Sequence, residues 1–244
     1  MQATTPILAA EGLHKRFGAL VVLDGVSLSI GEGEALGIVG PNGAGKTTLL
    51  SVLAGAQPPS AGSIRFKDDD VTHLGAPARC RRGLARTHQI PRPFSGMTVF
   101  ENAYVAASQA GGASGDEAYD IATDALAQCD MLKVANRPAE TLGLLARKRL
   151  ELARAVATRP SLLLLDEIGG GLTNAEADEL VGTIRALRRR GVSIVWIEHI
   201  VQVLVQVTER LICMDAGKII ADGTPQAVLA DRNVVEAYLG GAPA

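Results

Sequence analysis

The sequence predicts an α/β fold around a mixed, mostly parallel sheet, and three stretches carry that expectation. "SLLLLD" (161–166) and "VSIVWIE" (192–198) are continuous apolar runs, the pattern of strands covered on both faces. "NAEADELVGTIRALRRRG" between them has helical spacing, with Asn174 as the expected cap and Gly191 as the stop. "EALGIVG" (34–40) is a third apolar run. It ends in glycine and leads into "KTTLLSVLAG", which is helical in spacing and stops at Gly55. Strands alternating with helices are the unit of a parallel sheet.

The other elements follow in order. "ILAAEGLHKRF" and "VVLDGVSLSI" are short apolar and β-branched runs punctuated by Gly and Asp. They predict an antiparallel β portion from about 7–33 and 60–67, with "QPPSAG" (57–62) as a turn. The middle changes character. After the proline-rich "IPRPFSG", "TVFENAYVAASQ" reads as a helix, with Thr98 and Glu101 in capping-box spacing. "AGGASGD" (110–116) is a break, and "EAYDIATDALAQCDML" is amphipathic. The expected organisation is one domain over 1–244 in two lobes. The larger comprises 1–89 and 159–244; the helical lobe is 90–158. "RLICMDAGKIIADG" closes the chain with a hairpin around Asp215-Ala216-Gly217.

Bulk properties narrow the class. The 244 residues are 47% apolar, 20% charged and only 3% aromatic, so aliphatic side chains must fill the core. A net charge of −2 gives no overall basic field, and no nucleic-acid partner is expected. Cys80, Cys129 and Cys213 are far apart with no C-x-x-C, which reads as three reduced thiols. The N-terminus shows no secretory pattern. The most apolar late run contains Glu198 and His199 and is too short and polar to span a bilayer.

"GPNGAGKT" (40–47) matches the phosphate-loop pattern G-x-x-x-x-G-K-[ST], with a strand before it and a helix after it. Gly40, Pro41, Asn42, Gly43, Ala44, Gly45, Lys46, Thr47 and Thr48 are therefore the candidate nucleotide cradle. The glycines let backbone N–H groups point at one oxyanion, and the helix directs its positive end there. Lys46 suits the β- and γ-phosphates, and Thr47 suits Mg²⁺. The fold class is thus a P-loop NTPase, with ATP and Mg²⁺ as the expected ligands. "LLLLDE" then sets two carboxylates at a strand end: Asp166 as a metal-holding group and Glu167 as the group that orients or deprotonates a water. His199 follows the next apolar strand, where it can reach a γ-phosphate oxygen.

This order of motifs, from about residue 7 to 240, resembles the ATPase subunits of ABC transporters. "RTHQIPRPFSGMTVFENAYVAA" (86–107) and "GTPQAVLADRNVVEAYLG" (223–240) resemble those of branched-chain amino acid importers. The resemblance implies the ABC ATPase fold and roles for several positions. Gln89 would contact Mg²⁺ and water and sense the membrane subunit. Phe17 would stack on adenine, and "GLTNAE" (171–176) would cross to a partner subunit. Ile168 replaces the proline usual after Asp-Glu. A groove between the lobes would take a helix of the transmembrane permease, with Arg92, Pro93 and Phe94 as candidate lining.

The chain departs from the resemblance at "ETLGLLARKRLELARA" (140–155). Where the family carries L-S-G-G-Q or L-S-Y-G-Q, Gly143 falls on the serine, Leu145 on the second glycine and Ala146 on the glutamine. In the family this motif closes over ATP held by a second subunit. Gly143 offers no hydroxyl, and Leu145 adds bulk. The expectation is a pair with a second, different ATPase subunit rather than a homodimer; a symmetric pair that tolerates both changes is the competing reading. The expected function is powering an importer, for branched-chain or related amino acids, from the cytoplasmic face of the inner (plasma) membrane. An external substrate-binding protein would take part indirectly. The alternative is a soluble ABC-type nucleotide-controlled clamp not coupled to transport.

Overall fold

The computed structural model describes residues 6–239. Residues 1–5 and 240–244, which fall within the expected lobe boundaries, and Gly240 of the C-terminal resemblance lie outside the described residues. In chain order the strands are β1 (Leu8–Phe17), β2 (Leu20–Ile30), β3 (Ala35–Val39), β4 (Ala61–Phe66), β5 (Asp69–Asp70), β6 (Leu84–Arg86), β7 (Leu162–Asp166), β8 (Ser193–Ile197), β9 (Arg210–Asp215) and β10 (Lys218–Gly223). The helices are α1 (Lys46–Leu53), α2 (Ala76–Arg81), α3 (Val99–Val105), α4 (Gly115–Gln128), α5 (Leu144–Ala157), α6 (Asn174–Arg189), α7 (Val201–Leu204), α8 (Pro225–Leu229) and α9 (Arg232–Leu239). A π-helical turn, Ala106–Ala110, extends α3.

Two sheets form. One is antiparallel in the order β2-β1-β4-β5; the other runs β10-β9-β3-β8-β7-β6. In the second sheet β3, β6, β7, β8 and β9 are mutually parallel, and only β10 is antiparallel. The lack of polar alternation in β7 and β8 has a direct cause. Leu162 and Leu164 pack in a core with Leu49, Leu50 and Leu53 of α1 and with Leu8, Leu13 and Leu23 of the antiparallel sheet. Leu163 and Leu165 face a second core, with Leu150 of α5 and Leu180 and Ile184 of α6. Both faces are buried, so both sets of residues are apolar.

Local chemistry sets the element ends. Helix α3 starts at the Thr98–Glu101 capping box. Helix α6 differs from the sequence expectation by one residue: Thr173 is the cap, in a capping box with Glu176, and Asn174 is the first helical residue. The hydroxyl at 173 has glutamate three positions on, which Asn174 lacks. The β9–β10 hairpin turns at Ala216 and Gly217, both at positive φ (45° and 80°), as a two-residue hairpin turn requires. Arg79 is fully buried and donates to the Leu74, Val52, Leu53 and Thr72 carbonyls. It thereby satisfies the C-terminal end of α1, whose other end opens the phosphate loop. Among the described residues no helix is long and apolar enough to cross a membrane.

Candidate functional site

The loop between β3 and α1 is built on two glycine positions that no other residue fits. Gly40 has φ +142°, and a Cβ there would lie 2.0 Å from the Met214 carbonyl oxygen. Gly45, the N-cap of α1, has φ +98°, and a Cβ would meet the Val22 carbonyl at 2.7 Å. Asn42 through Thr48 line a cleft of about 350 Å³ together with Leu20, Val22 and Glu167. The N-terminus of α1 leaves unpaired backbone N–H groups at this cleft, the arrangement that receives phosphate.

Lys46 is 5% exposed, and its ammonium donates to the Gly40 and Pro41 carbonyls at 2.6 and 2.9 Å. Burial pushes its pKa below the ordinary lysine value, and Glu167 is the first of the groups that oppose the shift. The cradle therefore holds a buried cation ready for an anionic ligand. Behind it, the Tyr238 hydroxyl of α9 accepts the Gly40 N–H at 2.8 Å.

The far wall comes from neighbouring strand ends. Asp166 closes β7 and is 1% exposed; its Oδ1 lies 3.4 Å from the Thr47 hydroxyl. Glu167 follows at φ +48°, the left-handed region that non-glycine residues seldom occupy. Its N–H donates to Ile197 O, at the end of β8, at 2.9 Å. Its carboxylate stands between two other candidates. His199 Nε2 lies 2.8 Å from Oε1, and Gln89 Nε2 donates to Oε2 at 2.5 Å. Residues 89, 167 and 199, scattered in sequence, meet at one carboxylate.

A nucleotide with a divalent cation fits this site. Gly40 and Gly45 make a cradle that side chains would fill, and Lys46 supplies positive charge. Thr47 and Asp166 offer a hydroxyl and a carboxylate oxygen side by side, a hard-oxygen pair suited to Mg²⁺. Among the described residues no group of three or more His, Cys, Asp or Glu can hold a metal, so such a cation would need phosphate oxygens to complete its shell.

Three predicted residues stand apart. Phe17 is 46% exposed on the β1–β2 hairpin, with the Lys15 ammonium 4.9 Å from its ring centroid. Its cross-strand partner Leu20 lines the cleft. Gly143 is the N-cap of α5, with no side chain to cap it. Leu145 lies in the first turn of α5, partly exposed. Between α3, α5 and β6 lies a groove of about 240 Å³. Phe94 lines it, under the Arg154 guanidinium at 4.4 Å. Arg92 contributes a carbonyl to Arg154 at 2.7 Å. The buried Asn102 pins this loop by accepting from the Phe94 N–H and donating to the Phe94 and Thr98 carbonyls.

Sequence reasoning missed several polar groups at the site. Arg86 grips Asp166 Oδ2 at 2.8 Å. Glu198 is 2% exposed and accepts from the Gly169 N–H and the Trp196 indole; burial raises its pKa. Lys148 is buried beside the Glu167 carbonyl, and burial lowers its pKa, with Glu198 opposing. A glutamate adjoining His199 at the end of an apolar strand was the one signal in the sequence.

The sequence pattern of the ABC transporter family matches residues 23–169. The chain belongs to the ABC transporter family. A second pattern, that of the branched-chain amino acid ATP-binding cassette transporter, matches residues 218–244. This ABC ATPase is 36% identical to the high-affinity branched-chain amino acid transport ATP-binding protein BraF of Pseudomonas aeruginosa, over 96% of this chain and 98% of that one. LivG of Salmonella typhimurium, which carries the same description, is 37% identical with the same coverage. The lipopolysaccharide export ATP-binding protein LptB of Escherichia coli is 33% identical over 96% of this chain and 97% of its own. Among solved structures, MJ1267, an ATP-binding cassette of an ABC transporter, superposes in its ADP conformation with a TM-score of 0.86. It is 30% identical over 97% of this chain and 100% of its own. The chain is therefore a LivG-like, nucleotide-binding ABC ATPase, a transporter subunit of the P-loop NTPase fold.

Proposed function

We propose that this chain binds and hydrolyses ATP to power an importer for branched-chain or related amino acids. It acts with transmembrane permease subunits at the cytoplasmic face of the inner (plasma) membrane, and an external binding protein delivers the substrate. The convergence of Gln89 and His199 on the Glu167 carboxylate, beside the phosphate cradle, carries the reading. Backbone N–H groups at the start of α1 and the Lys46 ammonium receive the phosphates. Thr47, Asp166 and Gln89 would hold Mg²⁺, which would supply positive charge against the bound phosphates. Glu167 orients and deprotonates the attacking water, and His199 donates to a γ-phosphate oxygen. Leu20 and Phe17 form the apolar side toward the base.

The likeness to BraF and LivG supports the substrate class, and the likeness to LptB favours a transporter over a free clamp. Gly143 and Leu145 support a pair with a second, different ATPase subunit. In such a pair this chain supplies one full set of hydrolytic residues, while the site roofed by its own altered motif is slow. The test is purification of the tagged full chain from detergent-solubilised membrane, followed by ATPase assay. The expected result is co-purification with permease subunits and a second ATPase, with hydrolysis stimulated by the permease. Recovery with ribosomes or DNA instead, or as a fully active homodimer, contradicts the respective parts.

A further inference from the structure

Arg86 is the last residue of β6, paired in register with Leu164 of β7. Its guanidinium donates to Asp166 Oδ2 at 2.8 Å and to the Ser51 hydroxyl at 2.9 Å. Ser51 in turn donates to the Thr47 carbonyl at 2.7 Å. One side chain therefore touches the carboxylate assigned to the metal and, through Ser51, the backbone of the threonine assigned to it. Asp166 is 1% exposed, and the Arg86 side chain 12%. The same arginine also lines the groove between α3 and α5, with Phe94, Glu151 and Arg154. Its Nε is buried with no hydrogen-bond partner among the described residues.

We propose that Arg86 is a positioning residue, the resident counter-charge of Asp166, which sets how tightly this corner holds a divalent cation. The inference rests on the assignment of Asp166 to the metal. A buried carboxylate without a cation is unfavourable, and a guanidinium stays protonated at any working pH. Arg86 thus stabilises the metal-free state of Asp166. It leaves Oδ1, beside the Thr47 hydroxyl, as the oxygen free to face a metal. Its positive charge opposes a divalent cation on that oxygen, so the metal is held less tightly than the bare carboxylate would hold it. This favours release of the cation with the product nucleotide. The bond to Asp166 spans one guanidinium between the cleft and the groove. Gln89, three residues on, gives the same segment a hold on Glu167, so residues 86–89 address both carboxylates at the end of β7.

The experiment uses the purified full chain and a fluorescent ATP analogue, titrated with Mg²⁺, with thermal unfolding followed across the same Mg²⁺ series. Arg86→Gln keeps a polar side chain but removes the charge. It is expected to lower the half-saturating Mg²⁺ concentration roughly tenfold and to enlarge the Mg²⁺-dependent rise in melting temperature. Arg86→Lys loses the forked pair of bonds but keeps the positive charge beside Asp166, and because the setting is electrostatic it is expected to retain the wild-type requirement within about twofold. An unchanged or raised requirement in Arg86→Gln overturns the proposal, as does an Arg86→Lys variant that shifts as far as Arg86→Gln. A general fall in melting temperature with no change in Mg²⁺ response assigns Arg86 a packing role only and also overturns it. Should Arg86→Gln not fold, Arg86→Met, which also removes the charge, is titrated in its place with the same expected fall in the Mg²⁺ requirement, and an unchanged or raised requirement overturns the proposal. The metal assignment is tested separately, since Asp166→Asn must weaken the Mg²⁺ response. If it does not, that assignment fails regardless of Arg86.

Discussion

Gly143→Ser isolates the feature that sets this chain apart within its resemblance. Gly143 has φ −70° and ψ 173°, the geometry of an ordinary N-cap, and no side chain caps α5. A Cβ built there meets nothing within 4 Å. Serine can therefore enter without displacing an atom and bond an unpaired N–H of the first turn. Relative to glycine an N-cap serine gains a few tenths of a kcal/mol, or roughly 1 °C of melting temperature in a domain of this size. The larger effect is intermolecular. A hydroxyl that reaches a γ-phosphate held by a partner subunit adds a hydrogen bond to a charged group, worth about 1.5–3 kcal/mol. That corresponds to roughly 10- to 150-fold in ATP-dependent association. Sedimentation of the full chain with ATP, with Glu167→Gln present to prevent turnover, reads the association; calorimetry reads the cap. A gain in melting temperature without tighter association would show that position 143 does not face a partner's nucleotide, and the asymmetry argument would fall. Leu145→Gly is a poorer probe, because glycine in a helix costs about 1 kcal/mol by itself.

Three other outcomes are expected. Glu167→Gln should cut hydrolysis by roughly 10²–10⁴-fold while leaving ATP affinity near wild type; a parallel loss of binding contradicts its assignment to the water. Tyr238→Phe removes the acceptor of the Gly40 N–H and should cost about 1 kcal/mol, roughly 2–4 °C; an unchanged melting temperature means that α9 does not brace the loop. Glu176 is held below its ordinary pKa of 4.5 by the Thr173 N–H. Its contribution is therefore complete above the unfolded value and is lost as pH falls through the lower folded one. Glu176→Gln should melt below wild type at pH 6 and converge with it on acidification, and a gap that persists in acid contradicts the capping role.

What was legible in the sequence depended on distance along the chain. The phosphate loop could be read because its glycines are demanded locally, at Gly40 and Gly45, by close backbone approach. Strands β7 and β8 could be read because burial on both faces leaves a run with no alternation. Asp166, Glu167 and His199 were legible as strand-end groups in a recognised order. The partners that hold them were not. Arg86 is 80 residues from Asp166, and Tyr238 is 198 from Gly40; nothing in local spacing joins them. Lys148 and Glu198 look like surface charges until packing buries them. The cap of α6 was misplaced by one residue because Thr173 and Asn174 are both good caps, and only the glutamate at 176 separates them. Phe17 reads as a base-stacking aromatic from its position before Gly18; the structure sets it beside Lys15 and across from Leu20, which lines the cleft.

Isothermal titration of the full chain with ATP and Mg²⁺, beside Lys46→Ala, tests the central claim most directly. Saturable binding in the native chain, and its loss when the buried ammonium is removed, is the predicted result. Equal affinity in both proteins, or heatless mixing with the native chain confirmed by equilibrium dialysis, would contradict it.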